Sequence, residues 1–309
     1  MRTETFEVET EYEGERLDKY LSVIFEDTPV WSRSFFQKLI REGHVWVNDT
    51  AQKANYRLKT EELVKVEIPD AVSTPILPEN IPLDILYEDE DVLIVNKAKG
   101  MVVHPSAGHF SGTLVNAILY HCKDSLSGIN GEIRPGIVHR IDMDTTGSLI
   151  VCKNDESHVS IAEQIKEHSV NRKYRGIVYG VLKDDEGTID APIGRHPTDR
   201  KKMAVNKKNG KNAVTHFKVL QRFARYSYLE FALETGRTHQ IRVHMASIGH
   251  PLLGDALYSN GKSPYKLQGQ TLHAMTIGFI HPRTHEYLEV TAPLPEYFSK
   301  ILRDLEQSG

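Results

Sequence analysis

Cysteine is scarce in this chain of 309 residues. Its two, Cys122 and Cys152, have no CxxC spacing and no partner cluster. That excludes a disulfide frame and a thiolate metal site, and it fits a reduced compartment. No apolar run approaches the roughly 18 residues needed to cross a membrane. The opening segment, Met1 to Glu11, carries acids where a signal peptide would be apolar. A cytoplasmic protein with no membrane partner is therefore expected. Basic bulk is missing as well: 38 Lys and Arg face 42 Asp and Glu, for a formal charge of -4. A nucleic-acid partner would have to be met by segregated patches of positive charge. There is no phosphate-binding glycine loop and no dinucleotide fingerprint. His239 and His244 are five apart rather than at the i, i+4 spacing of a helical zinc pair, and His104 and His109 bracket a loop with no third ligand. Neither a cofactor nor a metal is expected, and no internal repeat or low-complexity tract is present.

What is there divides into two parts. An acidic strand over Glu4 to Tyr12 leads into residues 16 to 25, where Leu17, Tyr20, Leu21 and Ile24 fall at helical spacing. A second helix is expected from Ser32, a favourable N-cap, to Gly43, a favourable stop. Phe35, Phe36, Leu39 and Ile40 share one side of it, and Arg33, Gln37, Lys38 and Arg41 the other. A basic helix face is usually just solvated; here it is also a candidate RNA surface. Strands follow at Val45 to Thr50 and Val64 to Ile68. Residues 1 to 13 thus form an extension and 14 to 69 a small helix-helix-hairpin domain. Residues 70 to 83 form a linker, within a stretch from Pro69 to Pro82 that holds four prolines. Residues 84 to 309 form a second domain. Its expected strands, at 85–87, 92–97, 173–182, 213–220, 226–234, 271–279 and 287–291, are mostly joined without intervening helices. Helices are expected near 113–121, 155–168 and from 295. The fold class is α+β, with a mixed, largely antiparallel central sheet flanked by helices.

Three stretches carry candidate chemistry. Ile137-Val-His-Arg-Ile-Asp-Met-Asp-Thr-Thr-Gly147 packs His139, Arg140, Asp142 and Asp144 between two apolar runs. Such charge is costly to hold there and suggests a site, although Asp, Thr and Gly also suit an ordinary exposed turn. Its Asp142-x-Asp144-x-Thr146 spacing also fits the magnesium-dependent haloacid-dehalogenase phosphatases. That signature belongs at the end of the first strand of a parallel sheet, whereas here it lies mid-chain before an antiparallel pattern. Arg195 to Lys211 holds seven Lys or Arg, Lys201 and Lys202 among them, against one Asp. Glu234-Thr-Gly-Arg-Thr-His-Gln-Ile-Arg-Val-His244 passes from a strand through Gly236 into a helix ending at Gly249, with Ile241, Met245 and Ile248 as its buried stripe. Arg237 near that helix start is a candidate phosphate ligand.

The first domain resembles the RNA-binding module named after ribosomal protein S-four. The resemblance rests on Arg16-Leu-Asp-Lys19, Ser32-Arg33, Leu39-Ile40, Gly43 and Val45 to Asn48. The second resembles the RluA-type pseudouridine synthases, and most closely the RluD-like branch with that module in front. Four motifs carry this: Asn96-Lys-Ala-Lys-Gly100 with Val103-His-Pro105; Arg134 to Gly147; Lys173-Tyr174; and Gly236 to His244. The first two depart from the usual Asn-Lys-Pro-Ala-Gly and His-Arg-Leu-Asp-Lys-Asp-Thr-Ser-Gly patterns without losing the carboxylate, the tyrosine or the arginine. The resemblance implies a catalytic fold that isomerises uridine to pseudouridine in RNA, ribosomal RNA above all, without cofactor or metal. It makes Asp142 the catalytic carboxylate and Asp144 a supporting residue. Tyr174 becomes the aromatic face against the flipped uracil, Arg242 the partner of Asp142, and Arg237 structural or phosphate-binding. His139 and Arg140, with the 195–211 stretch, would grip flanking backbone. A monomer is expected. The rivals are a catalytically silent RNA-binding or ribosome-assembly factor and, further off, the magnesium phosphohydrolase.

Overall fold

The structure is a computed structural model that describes residues 2–25, 33–68, 76–106, 108–123, 125–129, 135–199, 201–259 and 263–308. It divides into two compact units, Met1–Thr74 and Pro75–Gly309.

The first unit contains β1 (Arg2–Glu7), α1 (Leu17–Ile24), α2 (Arg33–Arg41), β2 (Val45–Val47), β3 (Thr50–Ala51) and β4 (Leu63–Ile68). Its antiparallel sheet runs β1-β4-β2-β3. The acidic strand ends at Glu7, and Thr10–Tyr12 turn instead as a 3-10 helix. Residues 2–7, set apart in the sequence as an extension, pair with β4 from Arg2↔Ile68 to Glu7↔Leu63. Leu17, Tyr20 and Leu21 of α1 and Phe36, Leu39 and Ile40 of α2 are buried against Val45, Val64 and Val66 of the sheet, as the helical spacing requires. Gly43 leaves α2 in the left-handed region at φ +84°. The Ser32 cap lies outside the described residues. Asp18, wholly buried on α1, accepts hydrogen bonds from Arg16, Gln37 and Arg33. Burial opposes its charge, but those three donors hold its carboxyl well below the usual carboxylate range.

The second unit follows in chain order with β5 (Ile85–Glu88), β6 (Val92–Lys97), α3 (Leu114–Cys122), β7 (Thr146–Cys152), α4 (Asp155–Lys166) and β8 (Asn171–Tyr179). Then come β9 (Glu186–Asp190), β10 (Ile193–Arg195), β11 (Met203–Val205), β12 (Val214–Arg222), β13 (Tyr226–Leu233) and α5 (Gln240–Ser247), and finally β14 (Leu272–Ile280), β15 (Tyr287–Thr291) and α6 (Glu296–Gln307). Nine strands make one sheet in the order β5-β6-β7-β14-β8-β13-β12-β9, with β15 on β14. Every pair in it is antiparallel except β7 with β14. The mixed, largely antiparallel α+β class holds.

Alternate residues of the strands face two helical layers. Leu93, Leu149, Val151, Leu229 and Phe231 pack with α3 and α5. Ile94, Ile150 and Ile277 pack with α4, and Ile177 with α6. Strands β6 and β7 are covered on both faces, which explains their unbroken apolar runs. The three strands β9, β10 and β11 lie where the sequence showed no apolar alternation. Of these, β10 and β11 pair with each other inside the basic stretch, from Ile193↔Val205 to Arg195↔Met203. Among the described residues, no helix is long and apolar enough to cross a membrane.

Candidate active site

The stretch from Ile137 to Gly147 leads into β7, and three contacts fix its shape. The Thr145 N–H donates to Asp142 O, closing a turn. The Gly100 N–H and the Lys97 ammonium both donate to Met143 O, at 3.0 and 2.9 Å. Lys97 also donates to Ala98 O and Met101 O, so one buried side chain ties the first motif to the second. Burial pulls its ammonium down to about 7, against the opposing pull of Asp144 and Asp142.

Gly147 stands where β7 meets β14. At φ +108° it adopts a conformation that favours glycine, and a Cβ there would lie 2.2 Å from Ala274 O. The parallel pairing of Gly147 with Ala274 depends on that close approach.

The aspartates engage different neighbours. Asp142 Oδ2 accepts from Arg242 Nη1 at 3.0 Å. The same guanidinium donates Nε and Nη2 to buried Asp255 at 2.7 and 2.9 Å, a two-pronged pair, and stacks 5.1 Å from the Tyr258 ring. His239 adds its Nε2 at 4.0 Å from Asp142 Oδ1, while its Nδ1 meets the Tyr258 hydroxyl at 2.8 Å. Asp144 instead lies against Gly269, with a buried Oδ1 that has no hydrogen-bond partner. Its carboxyl is raised by burial, an effect that Lys99 and Lys97 oppose. The two carboxylates are therefore not a matched pair. The loop also enters a strand of a mixed sheet rather than leaving the first strand of a parallel one, so the phosphatase context is absent.

Asp142 stands on the wall between two cavities of roughly 460 and 360 Å³, within the range of ligand clefts. Tyr174, His139, Arg237 and Arg242 line the larger. Asp144, His104 and Gln270 line the smaller, and Arg140, His239 and Arg242 face both. Tyr174 is 8% exposed, and burial raises its phenol above the usual range.

His139 differs in character from a phosphate-gripping cation. Its Nε2 accepts from the Ile150 N–H at 2.9 Å, which requires the lone pair, and burial pulls it down to about 3. Arg140 is exposed, within 3.5 Å of His104 Nε2. The helix expected from Arg237 begins only at Gln240, with His239 left-handed before it and Gly249 beyond its end. Arg237 precedes it in the turn, donating Nε to Asn212 O and its N–H to the Gln240 side chain. Ile241 and Met245 are buried, but Ile248 is 42% exposed because α5 stops at Ser247.

In the first unit Arg33 is committed to Asp18 and so clasps α2 to α1, leaving the basic face to Lys38 and Arg41. Both of these are exposed, with Lys38 3.8 Å from Glu42. Lys201 is exposed and Lys202 half-buried at the β10–β11 connection. Arg200 and Arg134 lie outside the described residues.

Asp255, Tyr258 and Arg172 were not singled out by the sequence, and His239 was weighed there only as a metal ligand. Asp255 carried a usable signal, since an acid between apolar Leu252-Leu253 and Leu257 must find a cation.

Two regions of the chain match known families: residues 91–247 match RNA pseudouridylate synthase and residues 15–64 the S4 domain. The chain belongs to the RNA pseudouridine synthases. It is 52% identical to the uncharacterized RNA pseudouridine synthase YlyB of Bacillus subtilis, over 97% of either protein. It is 44% identical to the ribosomal large subunit pseudouridine synthase D of Zymomonas mobilis, over 99% of this chain and 98% of that protein. Among solved structures it resembles human RNA pseudouridylate synthase domain containing 1, with 25% identity, a TM-score of 0.56, and cover of 73% of this chain and 95% of that one.

For this synthase the neutral state of two histidines sets an acid limit on stability. Burial also pulls His273 down, to about 4; its Nδ1 meets Thr146 Oγ1 at 2.8 Å and its Nε2 meets Ala292 O. Below the ordinary histidine pKa, about 6.5, the unfolded chain takes up protons at His139 and His273 that the folded chain refuses. Stability is therefore fully present above about pH 6.5 and falls toward pH 4, by up to about 1.4 kcal/mol per pH unit for each ring. His139→Gln keeps an acceptor for Ile150 and is expected to reduce that slope by about one proton. Urea unfolding at pH 6.5, 5.5 and 4.5 measures it; parallel profiles for variant and wild type would refute the assignment.

Proposed function

We propose that the enzyme isomerises specific uridines of large-subunit ribosomal RNA, with Asp142 as the catalytic carboxylate. The observation that carries this is the Asp142–Arg242 pair on the wall of a nucleotide-sized cavity that Tyr174 also lines. The reaction breaks the bond from base nitrogen to sugar, turns the base and rejoins it through carbon five, with no net redox change. It requires an ionised carboxylate at the sugar–base junction, as nucleophile or as base at the ribose. The target nucleotide is flipped out of its stack, at a cost of a few kcal/mol, so that the uracil rests against Tyr174 and the ribose meets Asp142. Arg242 aims Asp142 through the bond from its Nη1. Arg140, exposed between the two cavities, holds the flanking strand, and Arg237 contributes charge at the rim. The ribosomal assignment is supported by relatives named for that substrate, the Zymomonas mobilis protein among them. A catalytic region at residues 84–309, a cytoplasmic location and a monomeric state are part of the same proposal.

The test is to map pseudouridine in large-subunit and transfer RNA from a strain lacking the gene, complemented with wild type or Asp142→Asn. Sites that vanish from the large-subunit RNA and return only with wild type are expected. Loss confined to transfer RNA, or no loss at all, rejects the substrate assignment.

RNA affinity should also register the basic stretch. Replacing Lys201, Lys202, Lys207 and Lys208 with Ala removes four positive charges. The slope of log affinity against log salt is expected to flatten by up to about 0.7 to 0.9 for each phosphate that is no longer neutralised. An unchanged slope means these lysines do not touch the RNA.

A further inference from the structure

The larger cavity is lined by two buried guanidiniums whose situations differ. Arg242 is balanced by Asp142 and Asp255. Arg172, 6% exposed, has no carboxylate in ion-pair reach among the described residues. Its Nη2 donates to the neutral carbonyl of Glu234 at 3.0 Å, and its Nε is buried without a partner. Its Nη1 occupies the space beside Gly236, 2.9 Å from where a Cβ would stand, so the glycine of the last motif leaves room for this head group. A buried cation held only by a neutral oxygen is costly, and that cost persists until an anion arrives.

The rest of the cavity has the same sign. Its lining includes Arg140, Lys166, Arg172, Arg237 and Arg242 against the single carboxylate of Asp142. The head group of Arg172 also lies on the substrate side of the sheet. It is two residues from Tyr174 on β8, hence on the same face and about 6.6 Å along the strand. That separation is on the scale of one nucleotide.

We propose that Arg172 forms a phosphate subsite inside the active-site cavity, receiving one backbone phosphate next to the flipped uridine while the uracil rests on Tyr174. A uracil carbonyl would satisfy one donor and leave the charge uncompensated; a phosphate satisfies both and neutralises it. This deepens the proposal that the cavity receives the target nucleotide. Pseudouridine formation by the wild type tests that proposal independently of Arg172.

The experiment uses the full-length enzyme, Arg172→Met and Arg172→Lys, with substrate RNA carrying a neutral methylphosphonate at each linkage flanking the target in turn. With unmodified RNA, Arg172→Met is expected to raise KM about 10- to 100-fold with kcat changed only a few-fold, and Arg172→Lys to recover part of the loss. The melting temperature of Arg172→Met should equal or exceed that of wild type, because an uncompensated charge has been removed. One methylphosphonate position should raise the wild-type KM by a similar factor and leave that of Arg172→Met unchanged. Multiplying penalties at every linkage would overturn the subsite. So would a lowered melting temperature with kcat falling at constant KM, which marks a structural residue. Should Arg172→Met not fold, the wild type and Arg172→Lys decide: a wild type indifferent to methylphosphonate at every flanking linkage rejects the proposal.

Discussion

Asp142→Asn should lower the rate of pseudouridine formation by a factor on the order of 10⁴ or more while leaving the fold and RNA binding intact. The asparagine keeps an oxygen for Arg242 Nη1, which stands 3.0 Å from Asp142 Oδ2. Arg242 is not orphaned, because its two-pronged pair with Asp255 remains. What disappears is the negative charge and lone-pair strength at the sugar–base junction, the one property the chemistry needs. Removing an anion from a cavity lined mainly by cations also cannot weaken the pull on RNA, so affinity should hold or rise slightly. Tritium release from carbon five of labelled uridine in RNA reads the reaction, and filter binding reads the affinity. A folded variant that keeps more than about one per cent of the wild-type rate would place the catalytic carboxylate elsewhere. A wild type that binds RNA and releases no tritium would favour the silent RNA-binding factor instead.

The separation of catalysis from binding reflects how differently the parts of the site were written in the sequence. Asp142 was legible because its loop concentrates charge between two apolar runs, whereas Arg242 gained its role only through the family resemblance. Their pairing across 100 residues was legible only through the family resemblance. Nothing local to residue 142 or 242 encodes the meeting, which is made by β14 and β8 bringing the loop and α5 to one face of the sheet.

Asp255 and Arg172 were missed for the complementary reason. Arg172 stands just before the strand expected from Lys173, and Asp255 lies between the helix expected to end at Gly249 and the strand expected from Thr271; the meaning of each depends on what the fold places opposite it. Arg33 shows the opposite failure. The helical wheel placed it correctly on the polar side of α2, but a wheel cannot see that Asp18 on the neighbouring helix claims the guanidinium. The parallel β7–β14 pair was hidden too, because the pattern of β7 shows burial on both faces without stating the direction of its neighbour.

The largest stability effect is expected at Arg242. Among the described residues, Arg242→Met leaves Asp255, 1% exposed, with only the N–H groups of Leu257 and Tyr258 as donors. Stranding a buried carboxylate in this way costs about 3–5 kcal/mol. Asp142 adds little to that cost, since its side chain is 20% exposed and water can reach it. The destabilisation should therefore come almost wholly from Asp255, and the double variant Arg242→Met/Asp255→Asn should recover most of it, to within about 1–2 kcal/mol of wild type. Activity should not return with the fold, because Asp142 still lacks its guanidinium. Urea unfolding with comparable m-values for all three proteins measures the first effect, and tritium release the second. If the double variant is as unstable as the sum of its single substitutions, the Arg242–Asp255 pair is not what holds the site together. If it regains both stability and activity, Arg242 serves the fold alone.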